Sequence, residues 1–268
     1  MYPVLLRVGA FRVESYYALW GVAVCLMVLW TRRRAVRRYG ISYNDATDVL
    51  LWVLVGVLIG ATLGGYLDHW KRYAADPARI LRFWESGLSS GPGFLGGGIA
   101  GLWKLSRLRV SPDAFAESAA VPCAFLLFVG RWGCFLNGCC AGIPTSSPFG
   151  VTFPGGAATP VYPSQIFESL AGLVIGLLLS ALEAKWKRSA ARAAQGALLW
   201  PLFLILYGAY RLVFDFLRAG DRIFGLRVGQ YSGLLALAVG VGWLLYSRKR
   251  LSAQRVPEAA PAAENVDA

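Results

Sequence analysis

The chain has 268 residues, 56% of them hydrophobic and only 16% charged, with a mean hydropathy of +0.50, a composition that excludes an ordinary water-soluble domain. Ten Trp and 31 Gly accompany long apolar runs broken by short basic clusters, the pattern of a transmembrane bundle in which Gly permits close helix contact and Trp marks the interfaces. The net charge of +12 is gathered in clusters between apolar segments, so it reads as membrane orientation and implies no nucleic-acid partner.

In chain order, stretches able to cross about 30 Å of hydrocarbon fall at residues 14–31, 48–67, 89–106, 114–136, 164–183, 196–216 and 229–247. The first is expected to stay in the mature protein, because its basic cluster follows the apolar run instead of preceding it. Gly56, Gly60 and Gly64 recur along one face of the second and suit helix contact. The third opens on Ser89-Ser90-Gly91-Pro92-Gly93 and Phe94-Leu95-Gly96-Gly97-Gly98, which predicts an irregular or re-entrant start. The expected fold is an all-α integral membrane bundle of about seven helices. A single membrane-embedded domain over residues 1–250 is followed by a disordered cytoplasmic tail at 251–268, rich in Ala, Pro and Glu.

Lys and Arg orient the bundle. An outside N-terminus puts Arg32, Arg33, Arg34, Arg37, Arg38, Lys104, Arg107, Arg109, Lys185, Lys187, Arg188, Arg192, Arg248, Lys249, Arg250 and Arg255 on the cytoplasmic side. Arg7, Arg12, Lys71, Arg72, Arg79, Arg82, Arg218, Arg222 and Arg227 then lie outside, and Arg131 and Arg211 fall near span ends. The positive-inside rule favours this arrangement, with the C-terminus cytoplasmic.

Charge near the membrane interior is costly, so Arg131, Glu168, Arg211 and Asp215 are candidate functional residues. The topology brings them to one leaflet with Tyr16, Tyr17, the Gly-rich start of the third span, Ser164 and Gln165. Arginine suits a phospholipid phosphate there, because the guanidinium is a rigid fork that stays charged. An alternative is structural: Arg131 snorkels to the interface and Arg211 pairs with Asp215 at i, i+4.

Cys25 and Cys123 lie in apolar spans as small core residues. Cys134, Cys139 and Cys140 cluster after Arg131, open to three readings: packing, a disulfide on an oxidising face, or a reactive thiol, with Cys139 the candidate. His69 is the only histidine, so a four-ligand zinc centre is not expected, nor is any other metal or cofactor.

Gly130-Arg131-Trp132-Gly133 followed by Asn137-Gly138 resembles the signature of the bacterial prolipoprotein diacylglyceryl transferases. Pro163-Ser164-Gln165-Ile166-Phe167-Glu168 is similar to that family's Pro-Ser-Gln-Leu-Tyr-Glu. Tyr207-Gly208 with Arg211, Asp215, Phe216 and Arg218 resembles its pattern before the last span, and Tyr17 falls where it has an N-terminal tyrosine. The resemblance runs from Tyr17 to the last span. It implies a multi-pass protein of the bacterial inner membrane whose active site faces the outer leaflet. Its partners would be phosphatidylglycerol, preprolipoproteins and membrane lipids.

The residues implied for catalysis are Arg131, Arg211, Asp215 and Glu168. Those implied for substrate binding are Arg131, Asn137, Tyr17, Gly96, Gly97, Ser164, Gln165 and Arg218. The reaction implied is attack of the lipobox cysteine thiolate on a glyceryl carbon, forming a thioether and releasing glycerol phosphate. The departures are specific: Leu95 stands where the family usually has histidine before Gly-Gly, Cys139 where glutamate follows Asn-Gly, and Tyr162 where histidine usually precedes Pro-Ser-Gln. Asp215 is a shortened glutamate. Phosphate-binding arginines are kept while the presumed proton-handling residues are not. A non-catalytic phospholipid-binding protein, or a transferase with another donor or acceptor, is the alternative.

Overall fold

A computed structural model describes residues 2–9, 11–82, 89–154, 159–187, 198–219 and 222–254. A short antiparallel hairpin, β1 (Val4–Val8) with β2 (Phe11–Glu14), leads into α1 (Ser15–Tyr39). There follow α2 (Tyr43–Asp68), the short α3 (Trp70–Ala75), a 3-10 turn (Pro77–Leu81), α4 (Ser90–Leu108) and α5 (Pro112–Asn137). Next come α6 (Ser164–Lys187), α7 (Leu199–Phe214), a 3-10 turn (Asp215–Leu217), a small hairpin of β3 (Arg222–Ile223) and β4 (Leu226–Arg227), and α8 (Val228–Gln254). The helical class expected from the sequence is observed, with two β-hairpins added.

Local chemistry sets several helix ends. Ser42 accepts from Asp45 N at the start of α2, and Ser111 performs the same task for α5, with Pro112 in its first turn. Gly40 and Gly138 close α1 and α5 in the left-handed conformation.

The polarity of the fold is inverted relative to a soluble protein. Leu58 and Ile99 are 60% and 70% exposed, whereas Glu168 and Arg34 are 2% and 3% exposed. An apolar exterior around buried charge is stable only where the surroundings are apolar too. Among the described residues, five helices, α2, α5, α6, α7 and α8, are long and apolar enough to cross a membrane. The chain is an integral membrane protein.

The most extensive helix contacts pair α2 with α4, α1 with α5, α7 with α8, and α5 with α6. Small residues allow each approach. A methyl on Gly60 would strike the Pro92 carbonyl, and one on Gly56 or Gly96 would strike the other helix's backbone. The irregular start expected for the third span is therefore corrected: α4 is a regular helix from Ser90, because its glycines are packed against those of α2, and tertiary contact outweighs their weak helix propensity. Helix α8 runs to Gln254; the remainder of the tail expected from residue 251, the start of the sixth expected span, and Arg188 and Arg192 lie outside the described residues.

A second polar cluster ties the opposite end of the bundle. Arg34 donates to Glu183 Oε2 at 2.7 Å and to the Ser118 and Glu117 carbonyls, and Arg38 also pairs with Glu183. Glu117 Oε1 accepts from Trp200 N at 2.8 Å, so a carboxylate from α5 satisfies an N–H that the start of α7 would leave bare.

Candidate active site

The two glycines flanking Arg131 explain how its helix is placed. Gly130 lies under the Trp20 ring, where a methyl would clash at 2.9 Å, and Gly133 lies against the Ser15 and Tyr16 carbonyls, where a methyl would be tight at 3.2–3.3 Å. Helix α1 therefore packs closely on α5 and leaves Arg131 directed toward α6. Gly172 performs the same service between α6 and α5, where a methyl would lie 2.8 Å from Ala124 O.

Glu168 is the centre of the site. Its Oε1 accepts from Arg131 Nη2 at 2.7 Å, and its Oε2 accepts from Arg211 Nη1 and Arg218 Nη1, each at 3.4 Å. Arg211 Nη2 also reaches Asp215 Oδ1 at 3.2 Å. The i, i+4 pair anticipated as a structural alternative thus exists, and the same arginine simultaneously joins Glu168. Three guanidinium groups face two carboxylates, and the buried Arg227 guanidinium lies beside Asp215 as a fourth cation, which leaves an excess of positive charge in a buried place. Arg131 Nε and Arg211 Nε are buried without a hydrogen-bond partner. An anion could satisfy both donors and the unbalanced charge.

Asp215 is held in turn by its neighbours. Arg227 Nη1 donates to the Asp215 and Phe216 carbonyls, both at 2.6 Å, and Arg227 N donates to Gln230 Oε1 at 3.0 Å. Gly229 faces Arg211 and Asp215 so closely that a methyl there would overlap both side chains.

Ser164 Oγ donates to Cys140 O at 2.7 Å and Gln165 Nε2 to Cys139 O at 2.6 Å. These two residues, expected to bind substrate, hold the turn that follows α5. That turn uses left-handed backbone at Gly138 (φ 75°) and at Cys140 (φ 61°), and it folds Cys139 and Cys140 back beside Cys134. All three Sγ atoms lie within 4.8 Å of one another, and Arg131 Nη1 is 3.8 Å from Cys134 Sγ. Hydrogen bonds with Cys134 and Cys139 draw the Cys140 thiol well below its ordinary value, and the Arg131 and Arg218 cations act in the same direction. Hydrogen bonds with Cys134 and Cys140 push Cys139 upward. All five cysteines are free thiols.

Arg131, Glu168, Arg211, Asp215 and Arg218 are therefore brought into one network, with Cys139, Ser164 and Gln165 beside it. Asn137 ends α5 next to the turn. Tyr17 is 67% exposed on α1, in edge contact with Tyr16. Gly96 and Gly97 are packed against Gly56 and Val57 of α2, in the helix interface and not in the arginine network. Sequence reasoning did not single out Arg227, Gly229 or Gln230, which occupy a polar hairpin and the helix start after it. Cys134 was visible as a member of the cysteine cluster, but its nearness to Arg131 depends on the turn.

A buried arginine–carboxylate network thus lies at one end of an apolar, helical membrane bundle. The sequence profile of the prolipoprotein diacylglyceryl transferases matches residues 3–246, and the chain belongs to that family. Three relatives named phosphatidylglycerol–prolipoprotein diacylglyceryl transferase illustrate the relationship. That of Geobacter sulfurreducens is 31% identical over 86% of this chain and 87% of its own length. That of Bordetella bronchiseptica is 30% identical over 92% and 95%. That of Polynucleobacter asymbioticus is 32% identical over 90% of each.

Proposed function

We propose that this protein transfers the diacylglyceryl group of phosphatidylglycerol to the cysteine thiol of a prolipoprotein. It would do so in the bacterial inner membrane, from a site toward the outer leaflet of a seven-span bundle with its N-terminus outside. The observation that carries this reading is the convergence of Arg131, Arg211 and Arg218 on Glu168 with two buried N–H groups unpartnered. The family membership supports the reaction class, and the excess of Lys and Arg at the opposite end of the helices supports the orientation.

In this mechanism Arg131 and Arg211 hold the lipid phosphate. As the glyceryl carbon passes to sulfur, the departing glycerol phosphate gains charge, which fixed cations in a water-poor place stabilise. Glu168 and Asp215 are positioning residues that keep the guanidinium groups together against their mutual repulsion. Arg218 completes the set, while Ser164 and Gln165 hold the Cys139–Cys140 turn at its edge.

Incubating the purified protein with phosphatidylglycerol and a lipobox peptide tests the reading. Release of glycerol phosphate, with a thioether-linked mass on the peptide, is expected. A second reading, phospholipid binding without transfer, draws on Leu95, Cys139 and Tyr162 at the family's usual histidine and glutamate positions; saturable lipid binding with no released glycerol phosphate would favour it.

A further inference from the structure

The thiols of Cys134, Cys139 and Cys140 surround one point at the rim of the arginine network, every Sγ within 4.8 Å of the others. Cys134 is buried, Cys139 is half-buried and Cys140 is exposed, so the group is closed on the helix side and open on one side. Zinc bonds sulfur at about 2.3 Å, which in a tetrahedral centre separates neighbouring sulfurs by about 3.8 Å. The observed separations, none above 4.8 Å, exceed that by at most about 1 Å. Three protein ligands with a vacant fourth position is the arrangement of a catalytic zinc, whereas a structural zinc takes four. A single histidine far along the chain therefore argues against only the structural type.

The surroundings suit a metal thiolate. Three thiolates around a divalent cation carry one net negative charge, and Arg131 Nη1 lies 3.8 Å from Cys134 Sγ to balance it. Trp20 Nε1 stands 3.4 Å from the same sulfur as a second donor, the outer-shell support that orients ligands and tunes a metal. The carbonyls of Cys139 and Cys140 are pinned by Gln165 and Ser164, which limits the entropy lost when the ligands close.

The carboxylates of the same place are held in ion pairs. Glu168 is engaged by three arginines and Asp215 by Arg211 and Arg218. His69 Nδ1 is turned to Gly65 O at 3.1 Å at the end of α2. Among the described residues of the network, each carboxylate is thus ion-paired with at least two arginines, which weakens it as a base.

We propose that Cys134, Cys139 and Cys140 form a three-thiolate site for a divalent cation of the zinc class, whose open fourth position takes the sulfur of the acceptor cysteine. The inference rests on the transferase reading. On coordination the acceptor S–H gives its proton to solvent, because a metal-bound thiol is held as thiolate. A lone pair of that sulfur attacks the glyceryl carbon, a C–S bond forms, and the C–O bond to phosphate breaks. Its electron pair leaves on the glycerol phosphate oxygen beside Arg131 and Arg211. The thioether product has lost its negative charge and leaves the metal. Nothing is oxidised or reduced.

The test uses the reduced full-length chain in detergent, stripped with a chelator and then titrated with Co2+ and Zn2+. About one Co2+ per chain is expected, with the near-ultraviolet absorption of cobalt–thiolate bonds, and Zn2+ should restore the transfer that stripping removes. Cys134→Ser and Cys140→Ser should each weaken metal binding by about 100-fold or more, while Cys25→Ser, on the exposed side of α1, should not. A chain that transfers diacylglyceryl but gives no cobalt–thiolate spectrum overturns the metal inference and leaves the transferase reading intact. Metal uptake that is unchanged in both serine variants also overturns it. Cysteine-dependent binding in a chain that never releases glycerol phosphate upholds the metal site and overturns the transferase reading, and with it the acceptor's place on the metal.

Discussion

Arg131 and Glu168, 37 residues apart in the chain, meet at 2.7 Å across the contact between α5 and α6. Glu168 keeps two further arginine partners, so loss of Arg131 does not strand a bare carboxylate. Arg131→Ala is accordingly expected to cut transfer or phosphatidylglycerol binding by about 100-fold or more with little change in folding yield. Arg131→Lys should recover only part, because an ammonium lacks the planar fork. Lipid-binding titrations beside thermal melts of both variants check this; wild-type binding in the lysine variant would argue against bidentate recognition.

How much of this was legible beforehand follows from where each residue sits. Arg131, Glu168 and Arg211 were visible because charge inside an apolar run has no inexpensive explanation. Arg34 and Glu183 obey the same rule, yet they lie at helix ends where a charge passes for an ordinary interfacial residue; only the folded chain reveals them as nearly fully buried. Gly96 and Gly97 misled in the other direction. Glycine propensity is local and suggests broken backbone, but the partner backbone of α2 is a tertiary fact. The Cys134, Cys139 and Cys140 group was readable as a cluster, while its convergence depends on two left-handed residues, one of them the non-glycine Cys140.

The Arg34–Glu183 pair should govern stability and not lipid chemistry. Both side chains are almost fully buried, at 4% and 6% exposure, and Arg34 also satisfies two α5 carbonyls. Breaking one side of such a pair leaves an uncompensated buried charge, a loss of about 3–5 kcal/mol. Glu183→Ala should therefore lower the midpoint of thermal unfolding markedly. At a temperature where the variant remains folded, its phosphatidylglycerol affinity should match wild type, as ligand-binding measurements on the folded fraction would reveal.

The proposed orientation makes a separate prediction. A fluorescent-protein fusion after Arg250 should fold and fluoresce in the cytoplasm, and an alkaline-phosphatase fusion at Pro148 should be active outside. The driving term is the basic excess near Arg32–Arg38, Lys104–Arg109 and Arg248–Arg250. Phosphatase activity from a fusion at Ser111, between α4 and α5, would reverse the assignment.

Gly229 offers the most selective probe of the arginine geometry. It opens α8 opposite Arg211, and an added methyl would overlap Arg211 Nη2 and both carboxylate oxygens of Asp215. The clash is with the ends of side chains and not with backbone, so the helix can keep its course while Arg211 and Asp215 move aside. Gly229→Ala should consequently fold, yet lose transition-state stabilisation by displacing one of the two phosphate-holding cations. A fall in kcat/KM of about 10²–10³-fold is the scale expected for removing one such donor, with a thermal midpoint close to wild type. Arg211→Ala should add little when combined with Gly229→Ala, because both changes remove the same interaction. Additive losses in the double variant would mean that Gly229 acts through something other than Arg211, and an active Gly229→Ala protein would show that the Arg211 position tolerates displacement.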